Sequence, residues 1–427
     1  MSLVRGFKGF VFGVPATVPS RTTPVFEDQV RGLVKVRLVA DHRIGPRVNL
    51  LIPTVEEGRA FAGVRSAVDL FQAVGAHADR RRVVSTGPMV GPALRSLDGY
   101  HVVSADGPDE GAVDQLVALD GTAEATLAVG PDDVFIATLW TTAELAHRII
   151  TWQDVTYGPA ERRFGYVIQD FEPGFYAWSA QWLMARATYD DPARTVAFFN
   201  TSLLQQYFHA EGLRFEREFV FEPRLWPALI AAAARGRSDV ARVPRHRRIV
   251  VYGRPSTPRN AFPLLIDGLR AWATTYPGAQ EWSVVSAGQA HPDVTLAPGV
   301  VLEARGKLTL DDYADLLLTS SIGLSFMISP HPSFPPLEMA HLGLRVLTNA
   351  FAGKDLSTWH QNIESVEPPT PDGIAAALGR LCARIEADPQ LGERGESLRG
   401  PEAVGDLQFP FAAEAALVLG LRHVPVG

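Results

Sequence analysis

The sequence predicts two α/β domains in tandem, each built on a doubly wound, mostly parallel sheet. Three observations support this fold class. The 427 residues are enough for two domains of ordinary size. Short apolar runs alternate with segments of helical periodicity, which is typical of parallel sheets covered on both faces. A polar, arginine-rich stretch at 231–248 separates two such series and is predicted to be a linker.

The first series follows residues 1–45, which have several prolines and little periodicity and are expected to form an irregular arm with one strand at 33–39. The apolar run at 48–52 predicts a buried strand, and apolar residues at helical spacing over 61–74 predict a helix. Further strands are predicted at 82–85, 101–104, 134–137, 166–168 and 195–199. The first domain is therefore predicted over 46–240.

The second series begins with an apolar run at 248–252. Thr309 and Asp312 have the spacing of a capping box, which predicts a helix that continues to Leu318. Strands are predicted at 282–286, 300–303, 322–326 and 345–348, and helices at 262–272 and 336–342. The second domain is predicted over 241–405, and an amphipathic helix within 406–427 is expected to cross back to the first domain.

The composition excludes several classes of protein. Apolar residues make up 46%, and the net charge of −7 disfavours nucleic-acid binding, which requires cations for the phosphates. The single cysteine, Cys382, excludes an intramolecular disulfide and fits a reducing compartment. No run reaches the ~18 apolar residues of a transmembrane helix, and the apolar part of the N-terminus is too short for a signal peptide. We therefore expect a cytoplasmic protein.

Several catalytic signatures are absent from the sequence. It contains no G-x-G-x-x-G after a strand, no Walker A motif, no nucleophile elbow and no H-E-x-x-H, and its eleven histidines lack the spacing of metal ligands. Redox, kinase and serine-hydrolase chemistry are therefore disfavoured, and no metal or cofactor is expected. Asn200-Thr201-Ser202 matches a glycosylation sequon but is expected to cap a helix over 203–209.

Polar residues directly after predicted strands are the candidates for ligand binding, because parallel sheets bind ligands at their carboxyl edge. Gly253 follows the strand at 248–252 and lets a ligand approach the backbone. Arg254 and Arg259 come next, and the planar guanidinium group suits phosphate. An ion pair in a surface turn is the alternative interpretation for these arginines.

A second cluster follows the strand at 322–326. Prolines near the start of the next helix orient free N–H groups that favour an anion, and Glu338 in that helix can accept hydrogen bonds from ribose hydroxyls or complement the helix dipole. His331 is expected to contact either a ligand or the backbone. Gly306 and Lys307, which follow another strand, present backbone and ammonium groups to a base or phosphate.

A third cluster lies in the first domain. Gln169, Asp170 and Glu172 follow the strand at 166–168 among aromatic residues, and carboxylates beside aromatic rings are typical of sugar sites. A turn-forming aspartate in a packed aromatic cluster is the alternative. Thr138 and Trp140 occupy a similar turn, where the next threonines alternatively cap a helix.

These clusters resemble the donor domain of GT-B glycosyltransferases that use nucleotide sugars. The resemblance lies in residues 253–260, in Gly306 and Lys307, and in the run from Ser329 to Ala340, which is its most specific part. Residues 169–173 and 354–360 resemble more closely the WsaF-type rhamnosyltransferases of bacterial surface-layer glycan assembly. The whole resemblance extends over about residues 48–381.

The resemblance implies a retaining, metal-independent transferase, similar to family 4, with dTDP-β-L-rhamnose as donor. It implies that Arg254 and Lys307 hold the diphosphate and that Glu338 holds the ribose. The class usually has a second glutamate eight residues before the ribose glutamate, and Pro330 occupies that position here. The diphosphate is therefore expected to depend on the two cations and the helix N-terminus.

The resemblance also extends the predicted donor and acceptor sites. Ser333 and Phe334 belong to the donor run, with Phe334 where a tyrosine is expected. Asp170 and Glu172 are expected to be catalytic and to face the acceptor or the transferred sugar. The acceptor side is also expected to include Thr138, Trp140 and Gln169. The donor site is assigned to Gly253, Arg254, Arg259, Gly306, Lys307, His331, Ser333, Phe334 and Glu338. The implied acceptor is a growing, lipid-linked glycan, which favours peripheral contact with the inner face of the cell membrane.

Two alternatives stay open at the level of sequence. A nucleotide-sugar epimerase needs no acceptor site, so replacing Asp170 or Glu172 would leave it active. A non-catalytic glycan-binding or scaffold protein would tolerate Arg254→Ala and Glu338→Gln. The sequence does not define the acceptor, the linkage or the oligomeric state.

Overall fold

The computed structural model describes residues 30–42, 45–56, 62–89, 91–105, 113–119, 125–239, 245–399 and 405–421. The chain divides into two units, Met1–Arg31 and Gly32–Gly427. The predicted N-terminal arm falls largely on residues 1–29, which lie outside the described residues. The second unit contains two large sheets.

The first of these sheets has eight parallel strands among the described residues. Beside it, β1 (Arg37–Ala40) pairs in parallel with β6 (Thr126–Val129). The large sheet consists of β2 (Arg47–Ile52), β3 (Arg80–Ser85), β4 (His101–Val102), β5 (Asp114–Ala118), β7 (Asp133–Ala137), β8 (Phe164–Ile168), β9 (Thr195–Phe199) and β10 (Arg217–Val220). Its spatial order is β10-β9-β8-β7-β2-β3-β5-β4. The chain therefore winds outward from β2 in both directions.

The second sheet has seven strands in the described chain. They are β11 (His246–Gly253), β12 (Ser283–Gly288), β13 (Val294–Ala297), β14 (Val300–Ala304), β15 (Ser320–Leu324), β16 (Arg345–Asn349) and β17 (Ile363–Val366). The order is β13-β14-β12-β11-β15-β16-β17. Strand β13 runs antiparallel to β14, and the other neighbours are parallel. This sheet is also wound in two directions, from β11.

Helices cover both sheets. In the described chain they are α1 (Ala62–Gly75), α2 (Trp140–Tyr157), α3 (Ala180–Ala187), α4 (Ser202–Ala210), α5 (Pro227–Asp239), α6 (Phe262–Thr275), α7 (Leu310–Leu318), α8 (Pro335–His341), α9 (Pro371–Ala387) and α10 (Ala412–Val418). Thr309 accepts a hydrogen bond from the N–H of Asp312, so the predicted start of α7 is confirmed. Thr201 caps α4 by accepting from Leu203, as expected for that segment. None of the described helices is long and apolar enough to span a bilayer.

Burial explains why the central strands read as continuous apolar runs. Every residue of β2, β7, β8 and β9 is buried, because helices cover both faces of the sheet. Leu50 of β2 packs with Phe71 of α1 on one face, whereas Leu51 packs with Ile149 of α2 on the other. The second sheet is covered in the same way by α6 and α9 on one face and by α5, α7 and α8 on the other. The predicted fold class, two Rossmann-like domains, is thus confirmed.

The prediction of a linker over 231–248 is wrong at both ends. Residues 231–239 belong to α5, and His246 already begins β11. Helix α5 packs against α7 of the second domain through Leu229 and Ala233. The arginines around 235 made the segment look solvated, although its alanines and leucine form an apolar face. The first connection between the domains is therefore the short segment between β10 and α5.

The end of the chain returns to the first domain. Helix α10 packs against α1, and Ala415 and Leu419 join the core that contains Phe71. Phe411 stacks on Phe219 of β10 with ring centroids 4.9 Å apart. Among the described residues, the chain therefore passes between the domains before α5 and has returned to the first domain at α10.

A buried ion pair fixes the amino ends of two central strands. The guanidinium of Arg47 on β2 makes two hydrogen bonds to Asp133 on β7, at 2.9 and 2.6 Å, and Nη2 of Arg82 lies 3.6 Å from the same carboxylate. All three side chains are at most 3% exposed. Burial would raise the pKa of Asp133, but the attraction of Arg47 and Arg82 outweighs it and lowers that pKa.

We expect Asp133→Asn to lower the free energy of unfolding by about 3–5 kcal/mol at neutral pH, because it leaves two arginines buried without their anion. Since the folded pKa of Asp133 is lowered, the loss should shrink as the pH falls below about 4, where the unfolded chain takes up the proton first, and it should disappear only below the folded pKa. Urea denaturation at several pH values checks this. The exposed neighbour substitution Asp132→Asn is the matched control, and an equal effect of both changes would contradict the assignment.

Candidate active site between the two sheets

Within the described part of the chain, a cavity of about 770 Å³ lies between the two domains. Arg65 and Asp69 of α1 and Trp226 before α5 line it from the first domain. The guanidinium of Arg65 lies 5.4 Å from the ring centroid of Trp226. The second domain contributes residues at the carboxyl edge of its sheet, where this fold binds ligands: Tyr252, Arg254, Gly288, Lys307, Tyr313, Phe334 and Glu338.

Glycines let three strand ends meet closely beside the cavity. Gly253 ends β11, and a Cβ atom there would lie 2.0 Å from Oγ of Ser286. Gly288 ends β12 with a φ of 141°, and a Cβ atom there would lie 2.5 Å from the carbonyl oxygen of Gly253. The N–H of Gly288 donates to the carbonyl of Gly306 at 2.9 Å. The predicted Gly253 and Gly306 thus shape the backbone at this edge.

Two cations predicted from the sequence line the cavity. Arg254 follows β11 and is half-buried, whereas Lys307 follows β14 and is exposed. Burial raises the pKa of Tyr252, whereas the neighbouring Arg254, which shares a hydrogen bond with the phenol, lowers it. A guanidinium and an ammonium group at one edge can neutralise a diphosphate.

Glu338 and Tyr313 form a polar pair in the same cavity. The Tyr313 hydroxyl donates to Oε2 of Glu338 at 3.3 Å. Burial raises the pKa of Glu338 to about 7, although this hydrogen bond lowers it. The carboxyl lines the cavity, where it can accept a hydrogen bond from a ligand hydroxyl.

The loop between β15 and α8 is held by neighbouring segments. The N–H of Met327 donates to Asn349 at 2.7 Å, and the Lys354 ammonium donates to the carbonyl of Met327 at 2.7 Å. The N–H of Ile328 donates to the carbonyl of Arg259, also at 2.7 Å. Lys354 is 1% exposed, and burial lowers its pKa to about 7. These bonds fix the first part of the loop.

Asp170 reaches this loop from the first domain. Its Oδ1 accepts a hydrogen bond from Oγ of Ser329 at 2.5 Å, and its Oδ2 lies 3.6 Å from Nε of Arg259. The guanidinium of Arg259 lies 4.3 Å from the ring centroid of Phe175. Burial raises the pKa of Asp170, whereas Ser329 and then Arg259 lower it. Asp170 therefore joins the two domains at the loop that leads into α8.

His331 in the same loop is 8% exposed. Its Nδ1 accepts a hydrogen bond from the N–H of Ser333 at 3.0 Å, so one nitrogen contacts the backbone. Burial, with smaller effects from Lys354 and Arg259, lowers the pKa of His331 to about 3. The neutral ring therefore carries its proton on Nε2, for which the described residues supply no hydrogen-bond partner.

Glu172 and Trp140 lie inside the first domain. Glu172 is 1% exposed, and its Oε2 accepts hydrogen bonds from the N–H of Trp140, at the start of α2, and from the Tyr166 hydroxyl. Burial raises the pKa of Glu172 to about 8. Trp140 is fully buried, and its ring N–H donates to the Tyr176 hydroxyl at 2.9 Å. Both side chains therefore support the loop that carries Asp170.

The other predicted acceptor-side residues lie next to this support. The Gln169 amide donates to the carbonyl of Thr138 at 3.4 Å, and its Oε1 lies 1.9 Å from where a Cβ atom on Gly63 would be. The Thr138 hydroxyl donates to the carbonyl of Leu51 at 3.0 Å. Thr142 accepts from the N–H of Thr138 at 2.9 Å, so the alternative role of a helix cap applies to Thr142.

The structure thus divides the predicted site residues into three groups. Arg254, Lys307, Phe334 and Glu338 line one cavity. Asp170 contacts Arg259 and Ser329 across the domains, and His331 and Ser333 bond to each other in the loop that carries Ser329. Gly253 and Gly306 shape the backbone, and Thr138, Trp140, Gln169 and Glu172 lie behind Asp170 in the first domain.

Sequence reasoning missed Tyr313, Gly288, Ser329 and Lys354 as site residues. Gly288 ends a strand, like Gly253, and that position was the available signal. Tyr313 lies in the first turns of the helix that follows Lys307, so it also points back to the carboxyl edge. The bond of Ser329 joins residues 159 positions apart in the sequence, and no local pattern indicates such a contact.

Comparison with solved structures defines the class of fold. The chain is similar to a sucrose-phosphate synthase from Thermosynechococcus elongatus (12% identity, 88% of this chain and 95% of that chain, TM-score 0.52). It is also similar to WaaG, a glycosyltransferase involved in lipopolysaccharide biosynthesis (12% identity, 88% of this chain and 99% of that chain, TM-score 0.51). A third similar structure is an E. coli trehalose-6-phosphate protein bound with UDP-2-fluoro glucose (11% identity, 88% of this chain and 97% of that chain, TM-score 0.50). The chain has the GT-B fold.

Comparison of sequences defines the family. Residues 47–202 match the N-terminal domain of WsaF, and residues 247–379 match its C-terminal domain. Together these matches cover more than half of the chain, which therefore belongs to the WsaF family. The resemblance stated from the sequence is confirmed, and the family with its GT-B fold supports the glycosyltransferase class.

A curated relative extends this comparison. The chain is 32% identical over 263 residues to the O-antigen biosynthesis protein RfbC of Myxococcus xanthus. The match covers 59% of this chain and 19% of that protein, so the chain spans about a fifth of the relative's length.

We expect the stability of the wild-type protein to fall between pH 5 and pH 8 because of Glu172. Its pKa in the folded protein, about 8, exceeds the usual value for glutamate, so Glu172 ionises in the unfolded chain at a lower pH than in the folded protein. As the pH rises, the free energy of unfolding therefore falls by at most about 1.4 kcal/mol per pH unit. Glu172→Gln removes this titration and should flatten the decline. Urea denaturation of both proteins across this range measures it, and identical slopes would show that Glu172 is ionised in the folded state.

Proposed function

We propose that the chain is a rhamnosyltransferase that transfers L-rhamnose from dTDP-β-L-rhamnose to a growing surface glycan, with retention and without a metal ion. One observation carries the donor assignment: two cations and a carboxyl–phenol pair line the same interdomain cavity. The similarity to RfbC, which is named as an O-antigen biosynthesis protein, and the UDP-sugar bound to the similar E. coli protein support a nucleotide-sugar enzyme of polysaccharide assembly.

The cavity can accommodate a nucleotide sugar, since such ligands occupy pockets of about 300–1,000 Å³. Arg254 and Lys307 bind the diphosphate in this proposal, and Glu338 accepts a hydrogen bond from a ribose hydroxyl while Tyr313 orients the carboxyl. A protonated Glu338, which its pKa of about 7 permits, can also donate to the ribose. The base then lies toward α7, beside Leu310.

The chemistry follows from the charge that develops as the bond between the sugar and the phosphate breaks. Negative charge grows on the diphosphate, and cations already fixed at the cavity edge stabilise it without reorganisation. The acceptor hydroxyl attacks the anomeric carbon from the face that the diphosphate leaves, and its proton passes to the departing phosphate oxygen. No separate base is required. Contact between the domains excludes water and so limits hydrolysis of the donor.

The acceptor in this proposal is a lipid-linked glycan at the inner face of the cell membrane. The side of the cleft that carries Asp170 faces the reacting sugar, while Glu172 and Trp140 hold that side in place. Replacement of Asp170 should therefore affect transfer more than nucleotide binding, which distinguishes a transferase from an epimerase that acts on donor alone.

We expect wild-type protein to bind dTDP more tightly than UDP, GDP or ADP in calorimetry with EDTA present throughout. Arg254→Ala should weaken dTDP binding by about 10- to 100-fold, because it removes a charge-assisted hydrogen bond, and Glu338→Gln should weaken it as well. Arg305→Ala is the matched control, since Arg305 lies two residues before Lys307, is exposed and pairs with Glu303.

Each alternative result has a defined meaning. Preference for UDP or GDP would retain the glycosyltransferase and discard rhamnose. Loss of binding in EDTA that a divalent ion restores would contradict metal independence. A folded wild-type protein that binds none of the four nucleotides would overturn the proposed function in favour of a scaffold.

A further inference from the structure

A chain of hydrogen bonds runs from the first domain into the loop before α8. The Ser329 hydroxyl donates to Oδ1 of Asp170 at 2.5 Å and accepts from the N–H of His331 at 2.9 Å. Nδ1 of His331 then accepts from the N–H of Ser333 at 3.0 Å. The next residue, Phe334, directly precedes α8 and lines the cavity. The chain thus starts at a carboxylate of one domain and ends at the cavity wall of the other.

The end of this chain is a strained conformation. Ser333 has a φ of 67°, in the left-handed region that residues with a Cβ atom rarely adopt because it is strained. Its N–H bond to His331 is part of what holds it there. The backbone N–H of His331 is in turn held by its hydrogen bond to Ser329, and the ring centroids of His331 and Phe334 lie 6.0 Å apart. A change at Ser329 therefore acts on the start of α8 through His331.

The first bond of the chain exists only while the domains are in contact. Asp170 follows β8 of the first sheet, and Ser329 follows β15 of the second. Ser329 is 3% exposed and Asp170 is 8% exposed, so both groups leave water when this contact forms. A buried carboxylate without its partners is costly, which makes the hydroxyl and the nearby Arg259 necessary to the closed arrangement.

We propose that Ser329 is a positioning residue that couples contact between the domains to the geometry of the donor loop. This inference rests on the proposed function. When Asp170 binds Ser329, the hydroxyl is fixed as a donor to the carboxylate and as an acceptor for the N–H of His331. His331 then holds Ser333 through its Nδ1, and the next residue, Phe334, is kept in place in the wall of the donor cavity. In this arrangement the transferred sugar is held correctly only after the domains meet.

The test measures donor turnover and nucleotide affinity of Ser329→Ala in the full chain. The nucleotide contacts of Arg254 and Glu338 lie outside the hydrogen-bond chain, so the Kd for dTDP should change by less than about threefold. The kcat with dTDP-β-L-rhamnose should fall by about 10- to 100-fold, because small displacements of a positioned group have effects of that size. Ser329→Thr keeps the hydroxyl and should recover most of the lost kcat.

Ser325→Ala is a matched control. Ser325 is also a fully buried serine at the end of β15, four residues earlier, but its hydroxyl has no hydrogen bond within the described residues. Its replacement should leave kcat within about twofold of wild type, since removing an unpaired buried hydroxyl is close to neutral. Comparing two serine-to-alanine changes in one loop separates the hydrogen bond from loss of volume.

A double-mutant cycle tests the coupling itself. If Ser329 acts through Asp170, then Asp170→Ala combined with Ser329→Ala should lose about as much kcat as Asp170→Ala alone. Additive losses would overturn the proposal, as would a Ser329→Ala enzyme with normal kcat or one that loses dTDP affinity in parallel with kcat. A wild-type protein that binds no nucleotide would instead overturn the proposed function, and this inference with it.

Discussion

A parallel strand that is buried on both faces offers a ligand only its ends, and in this class of fold ligands bind at the carboxyl end; the rest of this structure depends on that constraint. Both domains place their polar, glycine-containing loops at this edge, because helices occupy every other face of the sheets. The two edges meet at one cavity. Arg254 and Lys307, 53 positions apart in the numbering, come together there because β11 and β14 both flank β12 in the sheet.

Polar groups at this edge occur in two environments, one partly solvated and one buried. Those that line the cavity stay partly solvated, as with Arg254 and Lys307. Those between the domains are buried and meet partners from other segments, as Asp170 meets Ser329 and Arg259. Burial also changes the pKa values of the buried groups: it raises the pKa of Glu172 to about 8 and lowers the pKa of Lys354 to about 7. The site therefore combines an accessible cationic edge with a buried polar contact that closes behind it.

The central parts of the fold were predictable from the sequence, since strands such as β2 and β9 are apolar throughout and need no long-range information. The prediction was imprecise for β4 and missed β5, two strands at one side of the sheet, because their extended conformation depends on pairing with neighbouring strands rather than on their own sequence. Helix α5 was taken for a linker because the arginines in its sequence made it look polar although it has an apolar face, and α9 was not predicted. In the site, residues directly after strands were found. The Asp170–Ser329 bond and the support of Trp140 by Glu172 depend on tertiary proximity, which no local pattern encodes.

The return of the chain through α10 has a consequence for motion. A domain tethered by two segments can rotate against its neighbour less freely than a domain tethered by one. Here the chain leaves the first domain after β10 and comes back to pack Phe411 on Phe219 of that same strand. Both passages of the chain therefore meet at β10, which limits how far the two carboxyl edges can move relative to each other.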